Sequence, residues 1–523
     1  MATPSLPVEP TGPAPNGPHE TAGAAASRRP RLVLRADGNP SVGLGHVTRL
    51  LALAGILRGQ FAEVVFAAQA PADSLRELLS AAGLPVRELP VQPPAAEATW
   101  LRQHLLRPDD VLVLDGYGFD FEYQQAVRFG VRRLVCLDDL HASAFAADLV
   151  LNPAGGVSEA AYALHQPGAR LLAGPAFAPV RTEFWENSKS MAGAEAHPNT
   201  VLLCLGGADP RRLTQQVATQ LLALPATAVR ELHAVVGAAY QGWDALHEWA
   251  GGQPRLTLYR ALPAAALAGL MRRCGAAVLS PSTVSYEYCA VGGGLLFTLP
   301  TADNQHDLNQ FLRGAGLALP YPSAPNVLAG PEVARVAAQL QAAQRHYFDG
   351  WAPVRLRQAF AAVQVPPPSF GLRPVGTDDA DLLLAWTNDP DVRRHSFSPA
   401  PVSRPTHEVW LQARLTDPQA LLLLAEDALT GAPVGLIRFQ ADNQTATLGY
   451  QLAAEWRGRG LAAPLLLAGT EAARAWFAGL RRVRGLVQAD NVASARAFER
   501  AGFAQEAAAP DALPGSLTFV WIV

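Results

Sequence analysis

The first part of the chain alternates short apolar runs with longer stretches in which apolar residues recur at helical spacing. Short apolar runs are typical of strands buried on both faces of a parallel sheet, and the stretches between them are typical of amphipathic helices. The strands predicted in this way are 31–35, 63–67, 111–114, 134–137 and 149–151. The first two are followed by predicted helices at about 46–57 and 74–82.

The same alternation resumes after a soft, polar segment at 187–199. The strands of this second set are predicted at 201–205, 232–236, 276–279 and 295–299. Alternating strands and helices favour a parallel sheet with helices on both faces. The fold class predicted here is therefore α/β, with two Rossmann-like domains at 31–186 and 199–345 and a cleft between them.

The pattern changes near residue 346. A helix is predicted at 332–346 and another at 354–361, and Pro366-Pro367-Pro368 follows as a stiff extended segment. Residues 346–369 are thus predicted to be a helix and a proline-rich linker. Beyond them, strands are predicted at 372–374, 421–425, 434–439 and 445–450, with a helix at 378–388. This strand-rich pattern predicts a separate α+β domain over 370–523.

Residues 1–30 are rich in Pro, Ala, Gly and Thr and predict a disordered tail. They lack the apolar core of a secretory signal, and the chain has no apolar run long enough for a membrane span. Together these features predict a cytoplasmic protein without a membrane span.

Charge and cysteine content narrow the chemistry further. The 42 basic and 45 acidic residues give a net charge of −3, so the basic face that nucleic-acid binding needs is not indicated. The expected partners are small molecules, and any phosphate site must be local. The four cysteines have no metal-ligand spacing and predict buried free thiols in a reducing compartment, with no metal site.

A glycine-framed histidine follows the first predicted strand. Gly43 and Gly45 allow a tight turn, and His46 stands at the start of the next helix. Free amides and the positive end of that helix suit a phosphate and favour a neutral imidazole, which a general base requires. Taken alone, the motif favours the simpler interpretation, in which the glycines form a packing turn and His46 caps the helix.

Three more polar segments follow predicted strands. Gly206-Gly207-Ala208-Asp209 offers backbone amides to a diphosphate, and Thr283 to Glu287 puts a carboxylate in the first helical turn, where it could accept ribose hydroxyls. Asn304-Gln305 offers side-chain amides to a sugar or phosphate. Turn chemistry and helix-dipole pairing explain each segment without a ligand, but jointly the segments favour a nucleotide-sugar cleft.

These segments, taken with Arg35-Ala36-Asp37, resemble the UDP-sugar hydrolases of pseudaminic acid synthesis over about residues 31–345. The resemblance implies a glycosyltransferase B arrangement and hydrolysis of UDP-2,4-diacetamido-2,4,6-trideoxy-β-L-altropyranose by water at the anomeric carbon, without a metal. It implies a catalytic set of His46, Tyr117 and Asn304. The implied substrate-binding and UDP-binding residues are Asp37, Gly43, Gly45, Arg49, Gly207, Asp209, Thr283, Glu287 and Gln305. Ser280-Pro281-Ser282 departs from the family, which often has small residues there.

The third domain carries a second glycine turn, Arg457-Gly458-Arg459-Gly460, at a predicted helix start suited to pyrophosphate. With Asn491 to Ser494 and Phe498, it resembles the GNAT acetyltransferases, whose implied cofactor is acetyl-CoA. The implied cofactor-binding residues are Arg457, Arg459, Gly460, Leu461, Ala462, Asn491 and Ser494. Many relatives have a tyrosine general acid where this chain has Phe498, and phenylalanine cannot donate a proton.

The two resemblances together imply a bifunctional enzyme of pseudaminic acid synthesis. Its C-terminal domain would acetylate the 4-amino group of the precursor sugar nucleotide, and its N-terminal module would hydrolyse the product. The alternative is a UDP-sugar glycosyltransferase with a degenerate acyl-CoA-binding module.

Overall fold

A computed structural model of the chain describes residues 29–38, 45–141, 143–185, 197–207, 209, 211–238, 240–506 and 515–523, without the side chains of Ser74 and Asn304. Several predictions therefore lie outside the described residues. They are nearly all of the 1–30 tail, Gly43 of the glycine turn, most of the 187–199 segment and the side-chain role of Asn304.

Within the described residues, the first sheet has seven parallel strands in the order β3-β2-β1-β4-β5-β6-β7. The strands are β1 Arg31–Arg35, β2 Glu63–Gln69, β3 Val86–Leu89, β4 Val111–Asp115, β5 Arg133–Leu137, β6 Leu149–Asn152 and β7 Arg170–Ala173. The helices are α1 Gly45–Ile56, α2 Asp73–Ala81, α3 Pro94–His104, α4 Phe121–Arg128 and α5 Thr182–Trp185. Every residue of β1 and β4 is buried, as expected for strands covered on both faces.

The second sheet, again in the described part of the chain, has six parallel strands in the order β10-β9-β8-β11-β12-β13. The strands are β8 His197–Cys204, β9 Glu231–Val236, β10 Leu256–Arg260, β11 Cys274–Leu279, β12 Leu295–Thr298 and β13 Leu319–Pro320. The helices are α6 Leu213–Leu222, α7 Trp243–Gly251, α8 Ala264–Arg273, α9 Thr283–Ala290, α10 His306–Gly314, α11 Ala324–Leu328 and α12 Val333–Tyr347. The predicted α/β architecture with parallel sheets is confirmed.

Helix α13, Ala352–Ala362, connects the second sheet to the third domain and packs on two sides. Leu356 and Phe360 are fully buried in the core of the first sheet, where Phe360 meets Phe61 edge to face at 6.5 Å. Ala362, at the end of the same helix, belongs to the core of the third domain. The helix is therefore a shared core element.

The third sheet is mixed and has the order β14-β15-β16-β17-β18-β20-β19. Its strands are β14 Phe370–Pro374, β15 Ala420–Asp427, β16 Pro433–Asp442, β17 Thr445–Leu452, β18 Arg482–Gln488, β19 Ala504–Glu506 and β20 Ser516–Ile522. Its helices are α14 Ala380–Thr387, α15 Pro390–Arg394, α16 Arg404–Thr416, α17 Ala462–Trp476 and α18 Val492–Ala501. Among the described helices, none has the length and apolar character that crossing a bilayer requires.

Strands β17 and β18 form a parallel pair in an otherwise antiparallel sheet. They pair only from Thr445 to Leu448 on β17, which face Arg482 to Gly485 on β18. Beyond that point β17 remains paired with β16 and β18 with β20, so the two central strands part. We call this opening between the ends of β17 and β18 the splay.

Candidate functional sites

The first candidate site lies where the strand order of the first sheet reverses. From β1 the chain builds outward to β2 and β3 on one side, whereas β4 and its successors extend on the other. Open α/β sheets bind ligands outside the carboxyl ends of the strands at such a switch point. His46 is the second residue of α1, the helix that follows β1 along the chain, and Asp115 is the last residue of β4. The topology therefore brings these two side chains together.

His46, Asp115 and Arg49 form one hydrogen-bonded unit. Nδ1 of His46 lies 2.6 Å from Oδ1 of Asp115, and the guanidinium of Arg49 donates to the same oxygen at 2.7 Å. Arg49 Nη2 also lies 2.9 Å from the His46 ring nitrogen. Because an ionised carboxylate can only accept a hydrogen bond, the imidazole proton lies on Nδ1. A protonated Nδ1 cannot accept from Arg49, so the approach of Arg49 to that nitrogen is not a hydrogen bond. Nε2 is then the nitrogen left to accept a proton.

Opposite charges keep the Asp115 carboxylate and the Arg49 guanidinium ionised in this largely buried site. Asp115 is fully buried, and burial alone would raise its pKa, but Arg49 and His46 hold the pKa below its ordinary value of 3.8. Burial likewise opposes the charge on Arg49, yet Asp115 and Asp139 raise its pKa above the usual range. The carboxylate beside the imidazole is therefore charged throughout the physiological range.

Tyr117 completes the wall around His46. Its ring meets the imidazole edge to face at 4.8 Å, and its hydroxyl lies 3.5 Å from Asp139 Oδ2. Asp139 also accepts from Arg49 at 2.8 Å, and Tyr117 is half exposed at the mouth of the recess that these residues line. The structure thus brings together the predicted His46, Arg49 and Tyr117.

Sequence reasoning did not include the acidic residues of this recess among the site residues. Asp115, Asp138 and Asp139 line it, and Asp138 accepts from the Tyr162 hydroxyl at 2.6 Å. The hydroxyl of Tyr162 in turn accepts from Asn152 at 2.6 Å. A sequence pattern that points to these residues is that β4, β5 and β6 each end at or just before Asp or Asn. Such residues mark the carboxyl edge of a parallel sheet, where ligands bind.

Asp37 is tied to the scaffold. Both of its oxygens accept from Arg35, at 2.5 and 2.9 Å, and Oδ1 also accepts from the backbone of Gln69 at 2.8 Å. Arg35 is 1% exposed and pairs with the equally buried Glu97 at 2.7 Å. The visible role of Asp37 is therefore to anchor the segment that leads toward His46.

The second group of predicted residues lies at the switch point of the other sheet, between β8 and β11. Gly206 has a φ of 94°, which favours glycine. The backbone of Gly207 lies so close to Gly237 that a Cβ at position 237 would collide with it. Asp209 is 1% exposed and accepts from the backbone of Thr214 at 2.8 Å and from its hydroxyl at 2.6 Å. Its carboxylate therefore caps the start of α6.

The sequence predicted that Glu287 lies in the first turn of its helix, and this prediction is wrong. Helix α9 begins at Thr283, and Glu287 is its fifth residue. The side chain is 2% exposed and pairs with Arg181 at 2.7 Å. Burial raises the pKa of Glu287, and Arg181 lowers it only in part. Gln305 accepts from the backbone of Thr301 at 2.7 Å and so folds onto its own loop.

The two α/β units touch beside these loops. The hydroxyl of Tyr286 on α9 donates to the carbonyl of Pro153, just beyond β6, at 3.0 Å. Gly155 packs against the ring of Phe311 so closely that a Cβ would collide with it. Both contacts join the carboxyl edge of the first sheet to the second unit.

The glycine turn of the third domain has the expected backbone form. Gly458 and Gly460 have φ of 74° and 77°, values that favour glycine, and α17 starts at Ala462. Pro464 is the third residue of α17, inside the first turn, where its missing N–H costs no helical bond. The first-turn amides of this long helix therefore face the turn, in position for an anion.

The arginines of that turn have their own contacts. Arg457 pairs with Asp389 at 3.2 Å and Asp391 at 3.4 Å, which ties the turn to α15. Arg459 lies over the ring of Trp456 at 4.8 Å. A pyrophosphate contact at this turn thus falls first to backbone amides.

Asn491 and Ser494 start α18 on the other side of the splay. The Asn491 side chain accepts from the Ser494 backbone at 3.1 Å and caps the helix. Phe498, four residues further along, is 2% exposed and stacks on Phe519 at 5.1 Å. Phe498 is thus a core residue.

In the described part of the chain, no group of three or more His, Cys, Asp or Glu side chains is arranged to hold a metal ion. The four cysteines are buried and free, as predicted.

The first two sheets are parallel and carry polar residues at their switch points, and the third sheet is mixed and contains a splayed parallel pair. These features define the class of protein as an α/β module joined to an acetyltransferase domain. Residues 370–504 match the acetyltransferase (GNAT) domain family. The predicted acetyltransferase fold is therefore confirmed for this part of the chain.

Two curated proteins are similar to the chain. The UDP-2,4-diacetamido-2,4,6-trideoxy-β-L-altropyranose hydrolase of Campylobacter jejuni is 24% identical over 196 residues, which cover 36% of this chain and 65% of that protein. An uncharacterized protein of Methanocaldococcus jannaschii is 23% identical over 273 residues, which cover 50% of this chain and 54% of the relative. The chain thus spans between half and two thirds of these relatives. The predicted resemblance to the pseudaminic-pathway hydrolase, joined to a GNAT domain, is confirmed.

Two solved acetyltransferases match the chain over less than a third of its length. Spermidine N-acetyltransferase from Vibrio cholerae, solved with CoA and spermine, is 17% identical and covers 29% of this chain and 95% of its own, with a TM-score of 0.27. A GNAT-family acetyltransferase from Streptococcus pneumoniae is 20% identical and covers 29% of this chain and 99% of its own, with a TM-score of 0.25.

Proposed function

We propose that the chain is a bifunctional enzyme of nucleotide-sugar metabolism. Its N-terminal module hydrolyses UDP-2,4-diacetamido-2,4,6-trideoxy-β-L-altropyranose to the free sugar and UDP. Its C-terminal domain transfers an acetyl group from acetyl-CoA to the 4-amino group of the precursor sugar nucleotide. The arrangement of His46 between Asp115 and the mouth of the recess carries the first half of the proposal, and the GNAT match carries the second.

His46 acts as the general base in the hydrolysis. With Nδ1 bonded to Asp115, Nε2 takes a proton from water while the water oxygen bonds to the anomeric carbon. The bond from that carbon to the UDP oxygen breaks, and UDP leaves with the electron pair. The buried Asp115 carboxylate stabilises the imidazolium that forms, in the manner of the acid that orients histidine in a catalytic triad.

The second unit binds the leaving group. The Gly206-Gly207 loop and the start of α9 lie at the switch point of its sheet, and their backbone amides suit a diphosphate. Glu287, oriented by Arg181, and the residues after β12, which include Asn304 and Gln305, would contact the ribose and the sugar. In this proposal UDP binds to one unit and the other supplies the catalytic base, as in a glycosyltransferase B arrangement.

In the C-terminal domain, acetyl-CoA binds with its pyrophosphate at the start of α17 and its acyl arm in the splay. The left-handed Gly458 and Gly460 turn and the first-turn amides support the first contact. The unpaired edges of β17 and β18 support the second. Four buried free thiols in the whole chain suit the reducing cytoplasm, where we place the activity.

The decisive experiment uses the full-length chain with acetyl-CoA and the UDP-linked 4-amino sugar, followed over time by mass spectrometry. We expect the acetylated nucleotide to appear first, and UDP and the free diacetamido sugar to follow. Acetylation without UDP release would remove the hydrolase. UDP release only in the presence of an added acceptor, with the sugar on that acceptor, would make the first module a glycosyltransferase.

A further inference from the structure

The acetyltransferase domain needs a proton donor for the thiolate that leaves acetyl-CoA, and its buried Phe498 cannot supply one. Residues 370–523 contain a single tyrosine, Tyr450, and no cysteine. Tyr450 is therefore the only phenol in this part of the sequence, which contains no thiol.

Tyr450 lies on β17 two residues beyond Leu448, the last residue paired with β18. Its ring packs edge to face on Phe498 at 5.9 Å, and its hydroxyl donates to Oγ of Ser494 at 3.1 Å. Ser494 stands in the first turn of α18, on the far side of the opening. Tyr450 therefore reaches across the splay from β17 to α18, the helix that follows β18.

The surroundings keep this phenol protonated. Burial raises the pKa of Tyr450, and the hydrogen bond to Ser494 offsets only part of that rise. Phe498 also holds the ring in place, because it packs so tightly on Gly485 of β18 that a Cβ there would collide with it. Phe498 thus supports the Tyr450 ring by packing against it.

We propose that Tyr450 is the proton donor to the thiolate and that Ser494 restores its proton. This inference rests on the proposed acetyltransferase function. The amine nitrogen bonds to the thioester carbonyl carbon, the carbon–sulfur bond breaks, and the sulfur takes the phenolic proton. The proton that the amine loses returns to Tyr450 through Ser494, so the products are the amide and the CoA thiol.

The test compares the full-length wild type with Tyr450→Phe, which keeps the ring and removes the hydroxyl. We expect kcat for acetyl transfer to fall by about 10²-fold or more, with KM for acetyl-CoA changed by less than about threefold. The basic limb of the pH–rate profile should disappear in the variant. A second readout needs no turnover: the pKa of the thiol in bound CoA, followed by thiolate absorbance, should rise in Tyr450→Phe, because the thiolate loses a donor.

Tyr321→Phe is the matched control. It removes a buried hydroxyl that bonds to Gln220 at 2.6 Å in the other module, and acetyl transfer should not change. An unchanged kcat and pH profile in Tyr450→Phe would overturn the inference, as would an equal thiol pKa in variant and wild type. Loss of CoA binding in the variant alone would overturn it as well, since Tyr450 would then be a binding residue. A wild type that neither binds CoA nor transfers acetyl would instead overturn the acetyltransferase proposal.

Discussion

The side-chain amide of Gln358 on α13 donates to the carbonyl of Val520 on β20 at 3.2 Å. Its oxygen accepts from the backbone of Ile522 at 3.3 Å. Strand β19 pairs with β20 only as far as Val520, so Gln358 continues the pairing where that short strand ends. Gly502 packs on the same helix, where a Cβ would lie 2.8 Å from that of Ala361. The acetyltransferase sheet is thus closed by a helix that also belongs to the first core.

Gln358→Leu should therefore destabilise the whole chain. It leaves a buried carbonyl and N–H without partners, which costs about 1–3 kcal/mol in the free energy of unfolding. Denaturant titration of the full-length protein measures the change. Gln364→Leu, which removes only a local bond to the carbonyl of Phe360, should cost less than about 0.5 kcal/mol. Equal effects of the two substitutions would contradict the role given to Gln358.

His46→Ala should abolish UDP release while UDP still binds, because the proposed mechanism assigns the base to His46 and the diphosphate contacts to the other unit. We expect a fall in kcat of about 10²–10⁴-fold. Asp115→Asn should also lower kcat, since an amide neither fixes the Nδ1 proton nor stabilises the imidazolium. Steady-state kinetics with calorimetric UDP binding would measure both. Near-normal hydrolysis by His46→Ala would remove His46 from the mechanism.

Glu97 should make stability depend on acid pH. Burial raises its pKa, but Arg35, Tyr123 and Gln69 together hold the pKa below the ordinary 4.5. The stability it contributes is therefore present above pH 4.5 and is lost as the pH falls below that value.

Glu97→Gln leaves the buried Arg35 without that charge and should cost about 3 kcal/mol at neutral pH. The difference from wild type should shrink as thermal unfolding is measured at successively lower pH below 4.5. The exposed Glu122→Gln serves as the control and should stay within about 0.5 kcal/mol of wild type throughout. A difference that stays constant with pH would contradict the assignment.

Gly485→Ala should destabilise the acetyltransferase domain, because the new methyl group collides with the ring of Phe498. Overpacking of this kind costs roughly 1–3 kcal/mol. Combining it with Phe498→Leu, which replaces the ring with a smaller aliphatic side chain, should recover part of the loss in a double-mutant cycle. Additive effects measured by denaturant unfolding would show that the two positions do not share the space.

The strands buried on both faces were predictable from sequence, since apolar runs such as those of β1, β4 and β11 have no other stable placement. Strand β3 escaped prediction because, at the edge of its sheet, only Leu89 of its four residues is buried. The sequence likewise located the glycine turn at Gly458 and Gly460, where local backbone chemistry alone demands the residue type.

The sequence by itself determined the parallel sheets, the turns at their edges and the resemblance to two enzyme families, because these depend on local pattern and spacing. Only the tertiary structure paired His46 with Asp115, which is 69 positions away, since strand order decides which carboxyl ends meet. It also turned Asp209 to a helix cap and buried Glu287 against Arg181. Side-chain partners of this kind depend on packing across elements, and a linear pattern does not encode that packing.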